Sequence, residues 1–204
     1  MNITVYCGSN PGANPRFLEA AEQLGTWIGR AGHCLVYGGS SVGLMGAVSR
    51  AALAAGGCVE GVEPRFFIDA GVAQHDLTRL HVVETMAERK ALMIELGDAF
   101  VALPGGVGTL EEISEIMSQV RLSLGPRRCY LLNLDGFYDP LRQLLGAMLD
   151  QGFLDQRDVD AFLFPTSVDE LTAALARDAD ELAVLGRPSA GTPRCPEALP
   201  PNAG

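Results

Sequence analysis

The chain has 204 residues, a length that suits one domain with a full core, and its residues are 48% hydrophobic but only 6% aromatic. That aliphatic bias fits an α/β protein with buried parallel strands. A formal net charge of −10 argues against nucleic-acid polymers and anionic membranes as partners, and favours a ligand of mononucleotide size.

The opening "MNITVYCGSN" lacks a basic leader and a long apolar stretch, and no run approaches membrane-spanning length, so the expected location is the cytoplasm. "ITVYCG" (3–8) reads as the first strand, and Asn14 then caps a helix carrying Phe17, Leu18, Ala21, Leu24 and Ile28. "CLVYGG" (34–39) is the second strand, followed by a glycine-rich turn and a helix from Leu44 to Ala55. "CVEGVE" (58–63) is the third, ended by Pro64. "RLHVVE" (79–84) is the fourth, leading into a helix over 85–96. "AFVAL" (99–103) is the fifth, and "PGGVGTLEE" (104–112) opens a helix over 109–121. "CYLLNL" (129–134), a helix over "GFYDPLRQLLGAMLDQG", a seventh strand at "AFLFPTS" and a helix over 168–182 complete the series.

Strands and helices alternating in this way predict a Rossmann-like α/β fold: a parallel sheet of about seven strands with helices on both faces. Residues 1–182 form a single domain, and 183–204, rich in proline, read as a disordered tail. In such sheets ligands bind beyond the carboxyl ends of the strands. Each glycine-rich turn follows a strand, which brings Gly8, Ser9, Gly38, Gly39 and Gly43 to the same edge as "PGGVG".

That last stretch pairs bare backbone with carboxylates. Glycines at a helix start expose N–H groups to a phosphate. Adjacent carboxylates would repel it, which suggests chemistry a few ångströms away from the phosphate. Thr109 and Glu112 also have the spacing of a capping box, in which each would only satisfy a backbone N–H. The spacing alone leaves both readings open. The "YGGSSVGLMG" turn does not match the G-x-G-x-x-G dinucleotide pattern.

Arg89 falls in the centre of the apolar face of helix 85–96, where a desolvated guanidinium needs a carboxylate or phosphate partner. Lys90 is the one lysine among fifteen basic residues and reads as a solvated surface residue. A competing reading makes it a Schiff-base lysine for pyridoxal phosphate. Cys7, Cys34, Cys58 and Cys129 lie in apolar strand-like segments and read as small buried hydrophobes. His33, His75 and His81 have no ligand spacing, so no metal is expected.

"MAERK" followed by "GDAFVALPGGVGTLEE" resembles the LOG family of cytokinin riboside 5′-monophosphate phosphoribohydrolases, whose members have often carried the label lysine decarboxylase. The likeness extends over residues 2–180 and includes "YCGS", "YGGSSVGLMG" and "LLNLDGFYDPL". It implies a homodimer without cofactor or metal that hydrolyses the base–ribose bond of a nucleoside 5′-monophosphate. Arg89 and Glu112 match the family's catalytic pair, and Gly105, Gly106, Gly108 and Thr109 its phosphate loop. Met86, Lys90, Val107, Glu111 and Ser118 complete the expected substrate-contacting set. The chain departs from the family at Gly71, usually glutamate, at Ala87, often histidine, and over 118–128, and these departures leave the base unnamed. A nucleotide-binding module without turnover is the alternative of a different class.

Overall fold

The computed structural model describes residues 1–184. Seven strands form one sheet, and every pair is parallel. They are β1 (Asn2–Tyr6), β2 (Cys34–Tyr37), β3 (Cys58–Pro64), β4 (Arg79–Val83), β5 (Ala99–Ala102), β6 (Cys129–Leu131) and β7 (Phe162–Leu163). The order across the sheet is β4-β3-β2-β1-β5-β6-β7, so the winding reverses between β1 and β5. A reversal of this kind leaves a crevice at the carboxyl ends of the two strands.

The helices are α1 (Pro15–Arg30), α2 (Gly43–Ala54), α3 (Arg65–Asp69), α4 (Met86–Leu96), α5 (Val107–Leu122), α6 (Asp139–Asp150), α7 (Gln156–Asp160) and α8 (Val168–Val184). One apolar layer joins Leu24 and Ile28 of α1, Val48 of α2 and Leu171 of α8 to Ile3, Val5 and Leu35 of the sheet. The opposite layer joins Met93 of α4, Ile113 and Ile116 of α5 and Leu145 of α6 to Val36, Val62 and Phe100. Alternate residues of each strand feed alternate layers, as the period of two requires. The expected doubly covered sheet is therefore present.

Asn14 caps α1 as expected, its side-chain oxygen accepting from Arg16 N–H at 3.1 Å. Other boundaries moved. β1 stops at Tyr6, short of Gly8, and β7 has two residues because Pro165 interrupts the run. The helix expected over 136–152 starts only at Asp139, where Pro140 occupies the first turn. The short helices α3 and α7 span single turns with too few residues for a readable period. The expected proline-rich tail lies outside the described residues from 185 onward; residues 183 and 184 close α8.

The two helices α1 and α2 approach closely because Gly25 and Gly29 face α2. A Cβ on Gly25 would overlap the carbonyl oxygen of Val48, and one on Gly29 would sit 2.7 Å from that of Ala52. In an exposed helix, alanine in place of glycine stabilises by about 1 kcal/mol. Here the sign reverses, because backbone is the obstacle. Gly25→Ala is expected to lower the unfolding free energy by about 1–3 kcal/mol, read from the urea midpoint. A midpoint equal to or above wild type would show that the helices separate without penalty.

Candidate active site

The turns after β1, β2 and β5 meet at the crevice, together with the first turn of α4 and the start of α5. They enclose a cleft of about 310 Å³, at the small end of the range for small-molecule sites. Of the residues expected to touch substrate, Gly8, Ser9, Gly38, Met86, Arg89, Lys90, Gly106, Val107, Gly108, Thr109, Glu111 and Glu112 line it.

Four do not. Gly39, Gly43 and Gly105 lie behind the wall, packed against Glu63, the Ser9 backbone and Thr109 respectively. Ser118 is exposed further down α5, its hydroxyl donating to Ser114 O at 3.0 Å.

Arg89 organises the cleft. Its Nη1 donates to Glu112 Oε1 at 2.9 Å, Nε to Val62 O at 3.1 Å and Nη2 to Gly38 O at 3.3 Å. Arg89 and Glu112 are each 8% exposed, so the apolar-face position forces the charge to be paired, as the sequence implied. Gly38 has no side chain because a Cβ there would overlap Arg89 Nη2.

The capping-box reading of Thr109 and Glu112 is overturned. α5 begins at Val107 with Gly106 as its cap, and no side chain closes it. Thr109 is the third helical residue and is buried against Gly105, while Glu112 turns toward Arg89. The first N–H groups of α5 are thus open, with the positive end of the helix dipole behind them, an arrangement that suits an anion.

Burial raises the Glu112 carboxyl above its usual range, an effect that Arg89 opposes and neighbouring Glu111 reinforces. Glu112 lies more than a turn inside α5, where the dipole has faded. A carboxyl shifted toward neutrality is better placed to exchange a proton with water.

Lys90 is not a free surface residue. Its Nζ lies 2.7 Å from Glu111 and 3.2 Å from Glu115. Those carboxylates raise its pKa. That shift is opposite to the one that activates a Schiff-base lysine. With both cleft cations already paired, an anion must be held mainly by backbone N–H groups.

Reasoning from sequence missed Tyr6, Met45, Phe67 and Met93, which supply the apolar walls, and Cys7, whose thiol burial pushes far up and so keeps it protonated. It also missed Glu63 at the end of β3. This residue is 1% exposed, and its Oε2 has no hydrogen-bond partner.

Comparison with known proteins places the chain in a family. Residues 45–175 match a family described as "Possible lysine decarboxylase". The chain is 47% identical over 154 residues to a cytokinin riboside 5′-monophosphate phosphoribohydrolase of Rhodococcoides fascians, covering 75% of this chain and 78% of that protein. It is 42% identical over 152 residues to the cytokinin riboside 5′-monophosphate phosphoribohydrolase LOG of Oryza sativa, covering 74% and 63%. The chain belongs to the LOG family. Among solved structures, the molybdenum cofactor carrier protein of Chlamydomonas reinhardtii superposes with a TM-score of 0.67 at 22% identity, over 88% of this chain and 98% of that one. That likeness extends the fold beyond the LOG family and carries no site. The matched region contains both Arg89 and Glu112, and among the described residues no helix is long and apolar enough to cross a membrane.

The buried carboxyl of Glu63 has a measurable consequence. Burial raises its pKa from 4.5 to about 7. The folded chain therefore holds this proton where the unfolded chain has released it, and stability falls as pH rises through that window. The loss is on the order of 3 kcal/mol by pH 8. Glu63→Gln keeps the shape without the titration. Its urea midpoint is expected to exceed that of wild type at pH 8 and to converge with it near pH 4.5. A difference between the two proteins that does not change with pH would refute the assignment.

Proposed function

We propose that this chain hydrolyses the N-glycosidic bond of a nucleoside 5′-monophosphate, AMP or an N6-modified AMP of the cytokinin riboside type, to free base and ribose 5-phosphate. One observation carries the reading: a buried Arg89–Glu112 pair stands beside an α5 start that no side chain caps. The curated relatives act on cytokinin riboside 5′-monophosphates, and the same activity accounts for both halves of the site.

The phosphate sits against the N–H groups of Gly106, Val107, Gly108 and Thr109. It supplies binding energy remote from the reacting bond, which holds the sugar in place. As the bond from C1′ to the base nitrogen breaks, its electron pair leaves with the base and positive charge grows on the ribose. The Glu112 carboxylate stabilises that charge and accepts a proton from the water that attacks C1′. The proton then passes to the departing base. Arg89 remains protonated throughout; it fixes Glu112 and offsets developing negative charge.

The base is set elsewhere. Gly71, where the family usually has glutamate, follows α3 at φ 74°, a conformation that glycine adopts freely and glutamate does not. A glutamate could not take this conformation without strain, so base preference is to be read from a substrate panel.

We also infer a homodimer. Ile113, Ile116, Met117 and Val120 do not support it, because they are buried within the single chain. Leu110, Leu122 and Leu124 do, at 44%, 61% and 76% exposed. With Ser114 and Ser118, Leu110 and Leu122 make a smooth stripe along the outer face of α5 at i, i+4 spacing.

Base release assayed on AMP, N6-isopentenyl-AMP and adenosine is expected to show turnover of a nucleotide and far slower turnover of adenosine. Equal rates on AMP and adenosine would remove the phosphate-loop role. Glu112→Gln is expected to lower kcat at least ~100-fold, about 2.7 kcal/mol of transition-state stabilisation, with KM little changed. Near-normal turnover would leave the carboxylate without a chemical role. For the assembly, sedimentation should give a dimer mass for wild type and a monomer mass for Leu122→Glu; a wild-type monomer at micromolar concentration would dispose of it.

A further inference from the structure

A second cluster of chemically capable side chains lies at the other end of the sheet. Cys34 and Cys58 are the first residues of β2 and β3 and are register partners. Their Sγ atoms approach to 2.7 Å. Glu60, two residues along β3, projects from the same face, and one oxygen of its carboxylate lies within 4.8 Å of both sulfurs. His81 of β4 holds that carboxylate, Nε2 to Oε2 at 2.7 Å.

These cysteines are buried, as the sequence implied, yet stand apart from both apolar layers. Cys7 and Cys129 each pack into an apolar layer of the sheet, whereas Cys34 and Cys58 belong to neither. They are buried nonetheless, at 0% and 6% exposed, together with Glu60 at 8%. Two thiols and a carboxylate converging away from water is a donor set without an apolar purpose.

We propose that Cys34, Cys58 and Glu60 bind a thiophilic divalent cation of the zinc class, with His81 as the outer partner that orients Glu60. Two sulfurs and one carboxylate oxygen give three protein ligands and leave a fourth position for water. Sulfur selects against magnesium and calcium, and the carboxylate fits zinc better than copper(I). An imidazole behind a ligating carboxylate is the outer contact such sites use to fix their ligands. Tetrahedral zinc bonded to sulfur at ~2.3 Å needs the two sulfurs about 3.8 Å apart, so binding opens the pair by small χ1 rotations. The cation displaces the two thiol protons as it binds, so its affinity rises with pH. Access is past β4, the edge strand, where the His81 side chain is 21% exposed. The site lies at the amino ends of the strands, across the sheet from the cleft, and its role is to fasten β2 to β3.

The test titrates cobalt(II) chloride, then zinc chloride, into the reduced, tag-free full chain. One cobalt per chain with a thiolate-to-cobalt charge-transfer band, displaced by zinc, is expected. The band should vanish in Cys34→Ala and in Cys58→Ala, persist in Cys195→Ser, and need at least ~10-fold more cobalt in Glu60→Gln. Zinc X-ray absorption on the wild-type chain, which needs no variant to fold, should show two sulfurs per zinc. Zinc should also raise the Tm of wild type but not of the cysteine variants. Absence of a charge-transfer band, a band unchanged in both cysteine variants, or fewer than two sulfurs per zinc would each overturn the site. So would a Cys34–Cys58 disulfide that persists after reduction and binds no metal.

Discussion

The guanidinium of Arg89 is the constraint on which the carboxyl edge of this protein is built. Its three partners come from the ends of β2 and β3 and from α5, while its own backbone belongs to α4. Four elements distant in sequence are thereby fixed at one point. Removing one member of such a buried pair leaves an uncompensated charge, a loss of about 3–5 kcal/mol. The geometry is therefore self-enforcing: Glu112 cannot leave Arg89 without destabilising the fold, so it faces the cleft before any ligand arrives.

The uncapped start of α5, the proposed phosphate end, works by the opposite strategy. Nothing caps α5, and the cleft's two cations are engaged with carboxylates. Attraction for an anion thus comes from fixed backbone dipoles, whose direction is set by the helix axis and does not depend on side-chain rotamers. Additional cationic side chains would draw a phosphate in more strongly but would also compete with Arg89 for Glu112. A preorganised backbone cradle keeps the two functions separate within one short loop.

The parts of this arrangement that are local in sequence were legible there. Alternating apolar runs announced the strands, and the helical period placed Arg89 on an apolar face where only pairing could explain it. Asn14 disclosed the start of α1. Glycine-rich backbone obscured the start of α5, since residues 106–108 carry no propensity that separates loop from first turn. The capping-box alternative for Glu112 followed from that misplacement, because it requires the helix to begin at Thr109. Glu63 was invisible for a different reason. It belongs to a strand whose residues are buried on both faces, so alternation no longer signals which side is wet. The same limit hid the approach of Cys34 to Cys58, which depends on the register of two strands.

The solitary lysine has a practical side. Because Lys90 is the one lysine of the chain, reagents that acylate side-chain amines have a single address, at the lip of the cleft beside Met86 and Glu111. Its clasp by Glu111 and Glu115 keeps the amine protonated and slow to react. Anything that draws those carboxylates aside frees the nucleophile, so the rate of acylation becomes a reporter of what the cleft contains. A label attached there, with the α-amine of Met1 blocked, lies beside every ligand that enters the cleft.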